Sequence, residues 1–154
     1  MDYQAKLKVP FGMLGIRCNN DVLTGIDFLP ANAASQSPCG DFARKVCEQL
    51  SAYFADPGFR FDLPLQTGGT VHQNKVWQAM LAIPRGQVGS YGDLAEQIGS
   101  SPRAVGQACG NNPIPVVIPC HRVVSASGLG GFAKQRDGDM LDIKRWLLAH
   151  EGVL

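Results

Sequence analysis

The sequence predicts a mixed α/β (α+β) protein with two domains, residues 1–69 and 70–154. Three observations point to this fold class: short strand-like runs with turn residues near the N-terminus, helical spacing of apolar residues over the second half, and a Gly-rich junction at 66–69. A chain of 154 residues with 45% apolar content can bury a core in one domain or in two small ones.

The first domain is expected to be an antiparallel sheet with one helix. Residues 3–9, 12–17 and 22–29 are short runs separated by Pro10 and by an Asn/Asp turn, which predicts a meander of three strands. Apolar residues recur at helical spacing over 41–54, and residues 56–58 end that helix. Residues 59–65 predict one more strand. No residue before Thr70 carries a pattern that indicates chemistry.

The second domain opens and closes with helices. Residues 74–83 carry an apolar stripe that includes Trp77, so they predict a core helix, which ends at Pro84-Arg85-Gly86. A last helix is expected from Asp139 to Gly152, with Met140, Ile143, Trp146, Leu147 and His150 on one side.

A helix-turn-helix pattern occupies residues 90–109. Ser90 begins a short helix that ends at Gly99, and Ser101 with Pro102 begins another over 103–109. Two short helices joined by a Gly-containing turn are typical of this motif. The second helix is mostly Ala and Gly with one arginine, Arg103, so it favours close approach to a DNA backbone or minor groove with little sequence preference.

Composition limits the function classes. The formal net charge of +1 excludes a polybasic nucleic-acid tail but not DNA binding, because local patches matter more than the sum. No signal peptide or bilayer-spanning run occurs, so a cytoplasmic protein without membrane contact is expected. Five cysteines without paired spacing indicate a reduced chain with no metal finger; they are Cys18, Cys39, Cys47, Cys109 and Cys120.

A candidate nucleophile lies in Ile118-Pro119-Cys120-His121-Arg122-Val123. The thiol of Cys120 is next to an imidazole, and Pro119 at the first position of a helix would place Cys120 in its first turn. Both features lower a thiol pKa, because they stabilise the thiolate. The alternative is that Cys120 is a small buried apolar residue.

The same segment carries a family resemblance. Pro119-Cys120-His121-Arg122-Val123, with Asn112-Pro113 before it, resembles the active-site signature of the O6-alkylguanine-DNA alkyltransferases, and the resemblance extends from Thr70 to Gly152. It implies an RNase H-like N-terminal fold and a helical, winged-helix-like C-terminal domain with the active site. It also implies irreversible transfer of an alkyl group from O6-alkylguanine, and as a further candidate O4-alkylthymine, to Cys120 without a cofactor or metal.

The resemblance assigns roles to further residues. In the motif at 147–152, Glu151 would orient His121, the base for Cys120, and Asn112 would brace the site. The resemblance also implies two sets of contacts. The DNA-binding set is Tyr91, Gly92, Arg103 and Ala104, and the base-pocket set is Tyr91, Val123 and Phe132. Arg103 would fill the gap left by a flipped base, and Tyr91 would turn the nucleotide phosphate outward.

The expected partner is double-stranded DNA, bound by a monomer through the minor groove. Two features depart from the family pattern: His72 replaces a phenylalanine, and the connection 133–139 is longer. Three alternatives stay open. These are a lesion sensor, which would lack the reactive cysteine, a cysteine hydrolase, and a metal site at Cys109, Cys120 and His121 that has no fourth ligand by spacing.

Overall fold

The computed structural model describes residues 2–132 and 139–154. The chain divides into two compact units, Met1–Thr67 and Gly68–Leu154, and the predicted boundary lies two residues later. The fold is mixed α/β with a small antiparallel sheet, as expected. No helix in the described ranges has both the length and the apolarity that crossing a bilayer requires.

The first unit consists of three strands and one helix. Strands β1 (Ala5–Val9), β2 (Gly12–Asn19) and β3 (Val22–Leu29) form an antiparallel sheet in that order, and α1 spans Asp41–Ala55. Asn20 adopts the left-handed conformation, with φ 55°, in the tight turn between β2 and β3. The predicted meander and its helix are confirmed.

The extra strand predicted at 59–65 does not form. Only Leu65 pairs with β3, through an isolated parallel bridge to Leu23. Pro64 precedes it and has no N–H to donate, so a longer ladder cannot be built there. Phe59 and Phe61 instead form an edge-to-face pair with ring centroids 5.8 Å apart.

The second unit is mainly helical. Its described residues form the α-helices α2 (Val71–Leu81), α3 (Tyr91–Ile98), α4 (Pro102–Gly110) and α5 (Asp139–His150). Two short strands, β4 (Gly89–Ser90) and β5 (Val123–Val124), pair in parallel. Helix α2 begins three residues earlier than predicted, because Thr70 and Gln73 form a reciprocal capping box.

Helix α2 is fixed to its neighbours by two polar contacts. The Trp77 indole N–H donates to the Ala108 carbonyl at 2.9 Å, and Trp77 is buried, which confirms its packing role. His72, at the position where the family pattern has phenylalanine, lies with Nε2 2.7 Å from the Ser100 hydroxyl. A polar contact to the turn after α3 thus occupies this position.

Local capping positions the two short helices. Ser90 and Asp93 form a capping box at the start of α3, and Gly99 ends that helix in the left-handed conformation with φ 69°. Ser101 then caps α4, with its hydroxyl accepting from the Ala104 N–H and Pro102 in the first turn. A three-residue turn therefore connects α3 to α4, as the sequence predicts.

A proline-rich segment, residues 112–119, carries the chain from α4 to Cys120. It contains no helix, as expected. Val116 has φ 75°, which is costly for a β-branched residue, and its side chain is buried. The Ile118 N–H donates to the Ile114 carbonyl at 2.9 Å across this reversal. Tight burial and this bond hold the strained conformation.

Candidate active site

A cavity of about 950 Å³ opens in the second unit beside Cys120. Its wall comes from α3, α4, the Cys120 turn and the segment 125–132. The lining residues include Tyr91, Arg103, Cys109, Cys120 and Phe132. Cys120 is only 7% exposed, yet it forms part of this wall. It is therefore a buried thiol with access to a ligand-sized space, unlike a cysteine used for packing alone.

The backbone around Cys120 differs from the prediction. Residues Cys120–Arg122 form one 3-10 turn with Pro119 as its N-cap, so Pro119 does not open an α-helix. So short a turn has no α-helical dipole at its start to stabilise a thiolate. The reason lies in β5, which pairs with β4 directly after Arg122 and leaves no room for further helical residues.

The pKa of Cys120 is raised to about 11, whereas the sequence predicts a lowered value. Burial is the main cause, because the thiolate loses its hydration. A hydrogen bond from the Asn112 side chain and the positive charge of Lys144 act in the opposite direction. The resting site therefore contains a neutral thiol, and a base must accept its proton during any reaction.

Asn112 braces the segment that leads to Cys120. Its Nδ2 donates to the Ile118 carbonyl at 2.8 Å, and its Oδ1 accepts from the Ile114 N–H at 3.0 Å. The donor and the acceptor of the Asn112 side-chain amide thus both bind backbone groups on either side of Val116, where the chain reverses direction. The predicted brace has the geometry for its role.

A buried carboxylate joins the two residues that follow Cys120. Glu151 Oε2 lies 2.9 Å from His121 Nε2, and both side chains are fully buried. Arg122 donates Nε to Glu151 Oε1 at 2.9 Å and Nη2 to Oε2 at 3.0 Å. The planar guanidinium matches the carboxylate as a bidentate pair. Its Nη1 also donates to the Ile83 carbonyl at 2.7 Å.

This arrangement selects one form of the His121 ring. A carboxylate can only accept, so Nε2 carries the hydrogen in the neutral ring and Nδ1 keeps a free electron pair. Nδ1 is buried and has no hydrogen-bond partner among the described residues. Burial lowers the pKa of His121, and Glu151 opposes that shift. The neutral ring can thus act as a base, and Glu151 stabilises the imidazolium that results.

Only some of the other predicted residues line the cavity. Tyr91, Arg103 and Phe132 line it. Gly92 lies exposed in the first turn of α3, and Ala104 lies half-buried in the first turn of α4.

Val123, predicted for the base pocket, does not line the cavity, because its side chain is fully buried in the core. Its backbone carbonyl instead accepts a hydrogen bond from Lys144. The sequence predicts a long connection at 133–139. Residues 133–138 of this connection lie outside the described residues.

Sequence reasoning assigned no role to Arg122 or Lys144. Arg122 belongs to the signature segment, and Glu151 at the negative end of α5 indicates that a cationic partner is needed.

Lys144 belongs to the buried face of α5, which is formed by Leu141, Lys144, Leu147 and Leu148. The predicted apolar side included Met140, Ile143 and Trp146, which are only half-buried. Lys144 lies three residues from Leu141 and three from Leu147, which are both buried. This helical spacing is the feature of the sequence that indicates a buried lysine.

No cluster of three or more His, Cys, Asp or Glu side chains suited to a metal occurs within the described ranges.

Cys109 also lines the cavity. Its Sγ lies 3.5 Å from Met80 Sδ, and burial raises the pKa of Cys109 to about 12. Cys109 is thus a second, less acidic thiol in the same cavity wall.

Known proteins match this chain in sequence and in fold. A family model described as the DNA-binding domain of 6-O-methylguanine DNA methyltransferase matches residues 71–153. A methylated-DNA–protein-cysteine methyltransferase from Mycolicibacterium paratuberculosis is 43% identical over 150 residues, which cover 92% of this chain and 87% of that protein. The chain belongs to the methylated-DNA–protein-cysteine methyltransferase family.

Other members of this methyltransferase family match along nearly the whole chain. One from Methanosarcina acetivorans is 37% identical over an alignment of 158 residues, covering 97% of this chain and 98% of that protein. The crystal structure of Mycobacterium tuberculosis OGT in complex with DNA has a TM-score of 0.79 and 40% identity, and covers 96% of this chain and 91% of that chain. The motif resemblance covers residues 70–152 only. The similarity to these relatives extends to the first unit as well.

Replacing Arg122 with methionine should destabilise this methyltransferase strongly, because it leaves Glu151 buried without its cation. Breaking a buried pair costs about 3–5 kcal/mol, and the 14% exposure of the Arg122 side chain places the loss near the lower end. Urea unfolding of Arg122→Met measures the change. In the control Arg145→Met, which removes an exposed ion pair with Asp142, the loss should stay below about 1 kcal/mol. Equal losses in the two variants would contradict this assignment.

Proposed function

We propose that this chain repairs DNA by moving the alkyl group of O6-alkylguanine to the sulfur of Cys120, in a single irreversible turnover. The observation that carries the proposal is the position of Cys120, in the wall of a large cavity and next to a histidine fixed by a buried carboxylate. The family relationship supports this chemistry over that of a hydrolase. O4-alkylthymine presents a similar O-alkyl group and is a second candidate substrate.

The reaction begins with loss of the Cys120 proton to His121 Nδ1 through a water molecule. The sulfur then attacks the alkyl carbon, a C–S bond forms, and the C–O bond breaks with its electron pair remaining on the guanine oxygen. A proton delivered to the purine, for which the Tyr91 hydroxyl is the candidate donor, makes it a better leaving group. The products are unmodified guanine and an S-alkyl cysteine.

The reaction needs no cofactor, because the sulfur supplies the nucleophile and the imidazole supplies the base. A thioether is a poor leaving group, so the alkylated cysteine is not regenerated. Each molecule therefore acts once.

The electrostatics of the site suit a reaction that starts from neutral partners. Transfer of the proton from Cys120 to His121 creates a thiolate and an imidazolium side by side, so the two charges stabilise each other. Glu151 stabilises the imidazolium, while Asn112 and Lys144 favour the thiolate. The cost of burying an isolated thiolate is thereby reduced.

DNA is proposed to bind as a duplex along α4, with the damaged base rotated into the cavity. Arg103 is exposed at the start of α4 and also lines the cavity, which suits a side chain that enters the stack when a base leaves it. The small residues of α4 favour approach through the minor groove without strong sequence preference. We propose that a monomer in the cytoplasm performs this repair.

Alkyl transfer is tested by intact-mass analysis after incubation with a duplex that contains O6-methylguanine. The expected result is a stoichiometric gain of one methylene mass, mapped to Cys120. Cys120→Ser should show no gain, whereas Cys109→Ser, which removes the other cysteine of the same cavity, should keep it. Tight lesion binding without a mass gain would indicate a sensor. Release of a small product over many turnovers would indicate a hydrolase.

The role of Arg103 is tested by comparing two substrates. Arg103→Ala should slow repair of the duplex by about ten- to hundred-fold, since base flipping costs a few kcal/mol and the inserted arginine offsets part of that cost. Reaction with free O6-benzylguanine requires no flipping and should be nearly unchanged. Arg85→Ala, which removes an exposed arginine outside the cavity wall, is the control. Equal losses on both substrates would exclude the flipping role.

A further inference from the structure

Lys144 is a fully buried cation on α5. Its Nζ donates to three backbone carbonyls: Val123 at 2.6 Å, Leu129 at 2.7 Å and Gly131 at 2.9 Å. An ammonium has three N–H donors, so every donor has one acceptor. Burying a cation is costly unless it is bonded in this way, which means that a packing role alone does not explain the residue.

The three carbonyls belong to two segments of the active site. Val123 directly follows the turn that holds Cys120. Leu129 and Gly131 belong to the segment 125–132, which we call the glycine-rich wall, and this wall contributes Ser125, Ser127, Gly130, Gly131 and Phe132 to the cavity. One nitrogen atom therefore connects the end of the Cys120 turn to a second part of the cavity wall.

Polar bonds to the backbone carbonyls of Leu129 and Gly131 connect the glycine-rich wall to α5 and α3. It contains glycine at 128, 130 and 131, which gives it high conformational entropy when it is not held. Between Ser125 and Leu129 its regular pairing is one isolated bridge from Ser125 to Gly128. At Gly130, with φ 76°, an added Cβ would lie 2.9 Å from the Tyr91 hydroxyl oxygen, so the wall contacts Tyr91 closely.

The Gly131 carbonyl is a shared acceptor. It receives Lys144 Nζ at 2.9 Å and the Tyr91 hydroxyl at 3.4 Å. Because one oxygen binds both groups, the position of Tyr91 depends on where Lys144 holds Gly131. Helix α5 is thus connected through a single backbone carbonyl to the first residue of α3.

We propose that Lys144 is a positioning residue, which holds the glycine-rich wall and, through Gly131, Tyr91 in the geometry that binds the alkylated base. The proposal rests on the proposed function only for the identity of the substrate. Removing the ammonium frees three carbonyls, and the wall then samples open conformations. Binding of the base should suffer more than the chemical step.

The test compares Lys144→Met, which keeps the length of the side chain but has no donor, with Lys144→Arg, which keeps the charge but not three N–H groups on one atom. In both variants the half-saturating concentration of free O6-benzylguanine should rise by about ten-fold or more, since lost hydrogen bonds to a charged group weaken binding by at least that factor. The maximal rate should change less. Affinity for undamaged duplex should stay the same. Lys75→Met removes an exposed lysine and serves as control.

Hydrogen exchange provides a readout that does not depend on activity. Backbone amides of 124–132 should exchange faster in Lys144→Met, while those of α4 should be unchanged. A folded Lys144→Met with unaltered exchange in the wall would overturn the proposal. So would a fall in the maximal rate alone that Lys144→Arg restores, since that result would limit the role of the lysine to the thiolate stabilisation described above.

A measurement on the unmodified chain covers the case in which the buried substitution prevents folding. With ¹⁵N and ¹³C labels, the Lys144 Nζ should show couplings across hydrogen bonds to the carbonyl carbons of Val123, Leu129 and Gly131. Absence of these couplings would refute the bonding pattern. The exchange and coupling results stand even if no alkyl group is transferred to Cys120, so failure of the proposed function would be recognised separately.

Discussion

The active-site half of this methyltransferase depends on one buried carboxylate. Glu151 follows the last residue of α5, and its two oxygens hold His121 and Arg122, the two residues that follow Cys120. Arg122 continues the connection to Ile83, just after α2. Three segments that are far apart in the sequence therefore meet at one charge. The negative end of a helix disfavours such a charge, and the guanidinium and imidazole together offset that cost.

The second constraint is that the thiol must be both secluded and reachable. The strained reversal at Val116, braced by Asn112, brings Cys120 into the cavity wall with little of its surface exposed. Seclusion raises the thiol pKa to about 11, and a neutral thiol is protected from adventitious oxidation and alkylation because these reactions require the thiolate. In the proposed reaction, the sulfur becomes reactive only when His121 takes its proton beside a bound alkyl group.

Much of this could be predicted from the sequence, because the signals are local. Ser90, Ser101 and Gly99 specify the ends of α3 and α4 by capping, and the Asn/Asp turn specifies the meander. The Cys120 signature and the charge of Glu151 at the negative end of α5 identify the proposed nucleophile and the carboxylate that holds its histidine. These residues act within a few positions of the chain or belong to a motif whose chemistry is recognisable.

The features that were missed depend on contacts between distant segments. Pro119 has the sequence context of a helix start, but the pairing of β5 with β4 stops the turn after three residues. The pKa of Cys120 follows from desolvation by the whole fold, which outweighs its neighbours in sequence. The buried face of α5 and the three carbonyls around Lys144 can be seen only when the glycine-rich wall is in place.

The proposed chemistry requires that Glu151 fix His121 with its hydrogen on Nε2, so that Nδ1 can accept the Cys120 proton. The most direct measurement is ¹⁵N NMR of the labelled His121 ring at neutral pH. We expect a one-bond N–H coupling on Nε2 and none on Nδ1. A proton on Nδ1, alone or together with one on Nε2, would contradict it, because the ring could not then act as the base.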